Sequence, residues 1–288
     1  MTGTRTASLV VASLLIAASA KDALAAAAPT KIRWEGSYAA ALKKAKAEKK
    51  IVMIDFWADW CHWCFELDKK TYRDADVVKR AQELVAVKVD REGSRAERLL
   101  GDEYRVETLP TIAFVSPQGH MIFRVDGYKD GPEFSRVMDH AQKKAADVLA
   151  WEAALESNAA DATAMSKLGG HLFDVEFYED ARTWLRKAAD GDKDRPTKER
   201  KRTRTLLGII LHFDNKPAEA ETVLNEALAL TPADPDEDPA ALFTLAKVQM
   251  KTDRNKEARA NLQKIVEKFP ESKPAVRARE TLDTLPAK

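Results

Sequence analysis

Residues 51–64 read IVMIDFWADWCHWC, an apolar run from Ile51 to Trp57 followed closely by the chain's two cysteines, Cys61 and Cys64. The run is short, apolar at consecutive positions and rich in strand formers, which predicts a buried strand. From Cys61 to about Lys70 the pattern turns helical. A helix starting at Cys61 sets that sulfur beside backbone N–H groups with no intrahelical partner, at the positive end of the helix dipole. Both favour thiolate over thiol, whose ordinary pKa is about 8.5. Cys64, one turn later, faces the same side and can reach the Cα separation of about 5.5 Å that a disulfide needs. Cys61 is therefore expected to attack, and Cys64 to resolve the mixed disulfide.

Only two cysteines exist, three positions apart. A bridge between them closes too short a loop to constrain the unfolded chain, so stabilisation explains the pair poorly. A structural zinc site needs four ligands, and no second pair completes one. His62, His120, His140, His171 and His212 are spaced without any pattern of a closed site. No metal and no organic cofactor is expected.

Outward from this stretch, residues 37–50 (SYAAALKKAKAEKK) read as a helix capped by Ser37. Residues 76–83 suggest a further helix, 84–90 a strand and 94–104 another helix. Residues 111–116 and 121–125 are strands around the turn signal Pro117-Gln118-Gly119. A helix then runs from about Pro132 towards Ser157. Alternating helices and strands with a final hairpin predict an α/β domain: a mixed sheet covered by helices on both faces. The cysteines come directly after the C-terminal end of a strand, where open α/β sheets place their sites.

After about Trp151 strand signals vanish and a repeat emerges. Leu168-Gly169, Leu207-Gly208 and Leu245-Ala246 open three similar units. Thirteen residues on come Ala181, Ala220 and Ala258, then Leu185, Leu224 and Leu262, then Ala188, Ala227 and Ile265. Pro232 and Pro270 end the second and third units. Small alanines allow two antiparallel helices to approach, and three stacked pairs bury what one pair cannot. The units are expected at about 162–195, 201–234 and 239–272, with a capping helix from Pro274 to Leu285. The basic run Arg195–Arg204 (RPTKERKRTR) and the acidic knot Asp234, Asp236, Glu237 and Asp238 are expected as solvated connections between units.

The first 25 residues differ from the rest. Arg5 precedes a small-residue apolar run, Ala7–Ala20, and Ala23-Leu24-Ala25 offers a signal-peptidase pattern. Residues 1–25 are expected to be a cleavable signal peptide, cut near Ala25, which makes the protein periplasmic or secreted. The net charge of +1 gives no electrostatic case for nucleic acid or an anionic membrane.

The run Asp55-Phe56-Trp57-Ala58-Asp59-Trp60-Cys61-His62-Trp63-Cys64 resembles the signature of the thioredoxin superfamily, and Leu109-Pro110-Thr111 resembles its cis-proline site. The likeness covers roughly residues 32–146. It is nearest the branch that includes the periplasmic C-terminal domain of membrane thiol–disulfide interchange proteins. The repeats over 161–288 resemble tetratricopeptide repeats, joined by a connecting segment over 147–160. The resemblance implies that Asp55 is the buried acid behind the resolving cysteine, relaying a proton as Cys64 becomes a nucleophile. It implies that Pro110 faces the disulfide and that its backbone neighbours pair with a substrate strand. Trp60 would shape the docking surface, and Trp63 would add apolar docking area. His62 stands where thioredoxin has glycine; if protonated it would stabilise the Cys61 thiolate and make the disulfide more oxidising, the alternative being an exposed, neutral loop residue. The family also has a lysine near its buried acid, on the next strand. The expected register places Ala86 there, with Lys88 on the same face, which weakens the relay assignment.

These readings converge on a thiol–disulfide oxidoreductase acting on protein disulfides, with reductase favoured over oxidase. The implied partners are client proteins, a redox partner protein such as a membrane-bound electron donor, and a peptide or protein bound by the repeats. The rival reading is a binding scaffold whose thioredoxin-like domain is only a docking module.

Overall fold

The computed structural model describes residues 30–286; the expected signal segment, residues 1–25, lies outside the described residues. Five strands form one sheet: β1 (Trp34–Glu35), β2 (Val52–Trp57), β3 (Val85–Asp90), β4 (Thr111–Val115) and β5 (Met121–Asp126). Their spatial order is β1-β3-β2-β4-β5, with β3 parallel to β1 and β2, and with β4 antiparallel to β2 and β5. The mixed sheet follows from the sequence. Helix-linked strands 2 and 3 run parallel, while the turn Pro117–His120 forces the last two antiparallel. The two-residue edge strand β1 has no apolar run to announce it.

Helices α1 (Tyr38–Glu48), α2 (His62–Lys69), α3 (Ala75–Arg80), α4 (Arg95–Glu103) and α5 (Gly131–Ser157) complete this part. The expected Ser37 cap forms, and a second cap that the sequence reading did not name forms at α4. The Ala40 backbone N–H donates to Ser37 Oγ, and Ser94 and Glu97 close a capping box at α4. The helix expected over 76–83 is α-helical only to Arg80 and finishes as a 3-10 turn. Strand β2 is buried along nearly its whole length, as its unbroken apolar run requires.

Seven helices follow: α6 (Ala162–Asp174), α7 (Tyr178–Asp190), α8 (Thr197–Phe213), α9 (Pro217–Ala229), α10 (Asp238–Lys251), α11 (Asn255–Lys268) and α12 (Lys273–Thr284). Every alanine and leucine of the repeat pattern is buried where paired helices meet. Close approach explains the glycines. A Cβ on Gly169 would lie 2.8 Å from Leu185 Cγ, and one on Gly208 would lie 2.6 Å from Leu224. The turn within each unit carries a left-handed residue, Glu176, Asn215 and Asp253, at the same period as the repeat.

The charged runs are solvated connections only in part: Lys198, Arg202 and Asp236 are exposed and residues 234–237 join α9 to α10, but Lys201, Arg204 and Asp238 are buried. Most of the basic run lies in α8, and the acidic knot leads into α10, so stacking of neighbouring units brings the two together. Lys201, with its side chain only 1% exposed, donates to Asp238 Oδ1 at 2.6 Å and to the Ala227 carbonyl at 3.2 Å. Lys198 pairs with Asp236, and Arg204 with Asp192. Sequence alone shows charge but not the stacking that buries it.

The two parts share one apolar core. Tyr104 packs on Phe177 at 5.9 Å, His120 on Trp184 at 5.7 Å, and His171 Nε2 lies 3.0 Å from the Met121 carbonyl. Glu152 of α5, buried, holds both Ser116 Oγ at 2.5 Å and His120 Nδ1 at 2.6 Å. These contacts gather at the β4–β5 turn. Val115, the last residue of β4, lies opposite Val52, so the junction sits at the start of β2.

Candidate active site

Strand β2 ends at Trp57, and Ala58–Trp60 carry the chain into α2. Cys61 is the N-cap of α2, with extended backbone. Its sulfur accepts from the Cys64 backbone N–H at 3.1 Å, and its carbonyl accepts from the Phe65 N–H at 3.3 Å. Cys61 and Cys64 form a disulfide with Cα atoms 5.3 Å apart. The helix-start placement read from sequence is therefore present, with the sulfur bonded to one of the helix's free N–H groups. Both cysteines are buried, whereas Trp60 and Trp63 beside them are 66% and 54% exposed.

Trp60 Nε1 donates to Glu92 Oε1 at 2.6 Å, which ties this exposed ring to the loop after β3. Trp63 packs against His62 at 5.4 Å and against Tyr128 at 5.3 Å between ring centres. His62 is exposed. Pro110 is buried, follows a cis bond from Leu109 and immediately precedes β4. Phe56 pairs with Thr111 across β2 and β4, so Pro110 stands beside the end of β2 that leads to the cysteines. Its carbonyl accepts from the Gly127 N–H at 2.8 Å, a link to the loop carrying Tyr128.

Asp55 is fully buried on β2. The expected register is wrong by two residues: Met53 lies opposite Ala86, and Asp55 lies opposite Lys88. Lys88 Nζ donates to Asp55 Oδ2 at 2.8 Å and reaches Asp68 Oδ1 of α2 at 2.7 Å. The ammonium also lies over the rings of Trp34 at 4.8 Å and Tyr72 at 5.3 Å. Asp55 Oδ1 and the Tyr72 hydroxyl make no well-aligned hydrogen bond among the described residues, although the two groups lie close enough for each to bear on the other's protonation. Burial pushes the Asp55 carboxyl above its ordinary value, and Lys88 opposes the shift without cancelling it. Burial works against the Lys88 ammonium, but Asp55 and Asp68 more than offset it, so its pKa is raised. Burial and the nearby Asp55 charge hold the Tyr72 hydroxyl well above the usual tyrosine range.

Sequence reading missed Asp68, Tyr72, Trp34 and Tyr128 as neighbours of this site. Asp68 had a legible signal: it stands one helical turn after Cys64. Trp34, Tyr72 and Tyr128 lie on elements whose placement depends on the assembled sheet. Among the described residues no group of three His, Cys, Asp or Glu side chains could hold a metal ion.

Fold and site together define a thioredoxin-like domain joined to tetratricopeptide repeats. Residues 38–142 match the family model of the thioredoxin-like domain, and residues 161–233 and 211–280 match tetratricopeptide repeat models. Among particular relatives, the thiol:disulfide interchange protein DsbD of Photorhabdus laumondii is 34% identical over 97 residues, 33% of this chain and 17% of that protein. DsbD of Colwellia psychrerythraea is 37% identical over 98 residues, 33% of this chain and 16% of its own length. The chain thus spans about a sixth of the curated relatives it matches. A solved structure of DsbH oxidoreductase is 25% identical, covers 40% of this chain and 88% of its own, and has a TM-score of 0.35.

Proposed function

We propose that this protein is a periplasmic thiol–disulfide oxidoreductase in which Cys61 and Cys64 exchange with protein disulfides. The carrying observation is the disulfide itself, seated where β2 hands over to α2 with its first sulfur on a helix N–H group. In the reductive direction the Cys61 thiolate attacks a client disulfide, forming a mixed disulfide and releasing one client thiolate. Cys64, once deprotonated, attacks Cys61 Sγ, releasing the second client thiolate and closing the Cys61–Cys64 bond. Two electrons pass to the client, and a dithiol redox partner, such as a membrane-bound electron donor, returns them.

Asp55 is the proton acceptor for Cys64 in this reading. Lys88 occupies Oδ2, which leaves Oδ1, without a well-aligned hydrogen bond, as the oxygen that takes the proton. Trp60, Trp63 and His62 form the exposed rim that a client meets, and Pro110 presents backbone at its edge. The likeness to the interchange proteins favours reduction, and reduction is the proposed direction.

The repeats join the sheet at the opposite end of β2 from the cysteines, about 17 Å of strand away. They act by holding a large partner or client near the domain, raising its effective concentration, rather than by shaping the reacting sulfurs. Replacing Cys64 with Ala should trap mixed disulfides at Cys61 in cells, with none in the Cys61→Ala, Cys64→Ala double variant. A trap that captures nothing would leave the scaffold reading in its place.

A further inference from the structure

The turn between β4 and β5, the C-terminal end of α1 and the last turns of α5 line a cleft of about 370 Å3. That volume is in the range of small-molecule sites, about 300–1,000 Å3. The turn follows Val115, which lies opposite Val52, so the cleft stands at the end of β2 away from the cysteines. One of its walls is Glu152, only 6% exposed. Ser116 Oγ accepts the backbone N–H groups of Gln118 and His120, so its own proton goes to Glu152 Oε1, at 2.5 Å. His120 Nδ1 meets the same oxygen at 2.6 Å. Oε2 has no partner among the described residues, yet it is not sealed from solvent; the cleft is the space it opens on. A carboxylate so deeply placed is costly until a donor reaches its free oxygen.

The cleft carries its two signs of charge on different elements. From the α1 side come Lys46 and Lys49, both exposed. From α5 comes Glu156, one turn beyond Glu152, which accepts from Gln118 Nε2 at 2.8 Å. Neither lysine forms an ion pair among the described residues, so the cleft holds the cations of one side apart from the carboxylates of the other. Leu149 and Pro117 add apolar lining.

We propose that this cleft binds a small zwitterion of the α-amino-acid class. The ligand's ammonium donates to Glu152 Oε2, its carboxylate meets Lys46 and Lys49, and an apolar side chain covers Leu149 and Pro117. A diamine would set a second cation against the two lysines, and a dicarboxylate would set an anion against Glu152 and Glu156. The site is separate from the exchanging sulfurs and does not depend on their chemistry.

The test titrates the full chain calorimetrically with L-leucine, with L-leucinamide, which lacks the carboxylate, and with N-acetyl-L-leucine, which lacks the ammonium. Leucine should bind, and each analogue should bind at least about tenfold more weakly. Glu152→Gln should lose leucine affinity by a similar factor. Because Glu152 also ties down Ser116 and His120, the Lys46→Gln, Lys49→Gln variant gives a separate check. Both its side chains are exposed, so its melting temperature should match wild type while its affinity for leucine falls about tenfold. Absence of leucine binding, equal binding of leucine and either analogue, or an unchanged affinity in the lysine variant overturns the proposal.

Discussion

At Asp55 a carboxyl is enclosed on every side, faces one ammonium and keeps one oxygen without a well-aligned hydrogen bond. Its raised pKa carries a stability cost with a definite sign. Below the unfolded-state pKa of about 3.9 both states are protonated and nothing is lost. As pH rises past that value the unfolded chain ionises first, so native stability falls until the folded pKa is passed. Asp55→Asn should therefore melt higher than wild type at pH 8 but not at pH 3, while slowing the release of mixed disulfides. Thermal melts at the two values check the first effect and single-turnover exchange the second. Lys88→Met removes the cation that holds the Asp55 pKa down, so the rising limb of the exchange-rate pH profile should move to higher pH. An unmoved profile would take Lys88 out of the proton path. Asp55 was singled out in sequence by the resemblance of the run around Cys61 to the thioredoxin signature, and its burial on β2 agrees with that. Its partner was not, because the pairing of β2 with β3 is set by how the whole sheet docks.

Among the elements, the repeat helices are the most readable, since their pattern is one of size at fixed spacing. Gly208 is required because α9 leans its Leu224 against the α8 backbone. Gly208→Ala should cost about 1–3 kcal/mol of stability, read by chemical denaturation, as overpacking in a tight core does. The charged runs were misread in part for the opposite reason: the burial of Lys201, Arg204 and Asp238 is decided between units and not along the chain. Asp238→Ala would strand Lys201 with only the Ala227 carbonyl, and should destabilise the array by about 3–5 kcal/mol, the scale for breaking a buried pair from one side. Wild-type stability in that variant would show the pair to be idle.

Across the molecule, one apolar core runs from the sheet through α5 into the first repeats. Junction and cysteines mark opposite ends of β2, so the proposed partner of the repeats would approach the disulfide from a distance. A shared core predicts that the thioredoxin-like part and the first repeats unfold together. Calorimetry should show a single main transition, coincident with loss of tryptophan near-ultraviolet signal; a separate early melt of the repeats would contradict the shared core. Nothing local in the sequence announces this junction, because His120, Glu152, Phe177 and Trp184 each read as ordinary helix or turn residues until the chain is assembled. The proposed exchange chemistry depends above all on one sulfur. The rate of iodoacetamide alkylation of Cys61 against pH, measured in the Cys64→Ala variant, should show a midpoint clearly below the free-thiol value of about 8.5. A midpoint at that value would contradict the account.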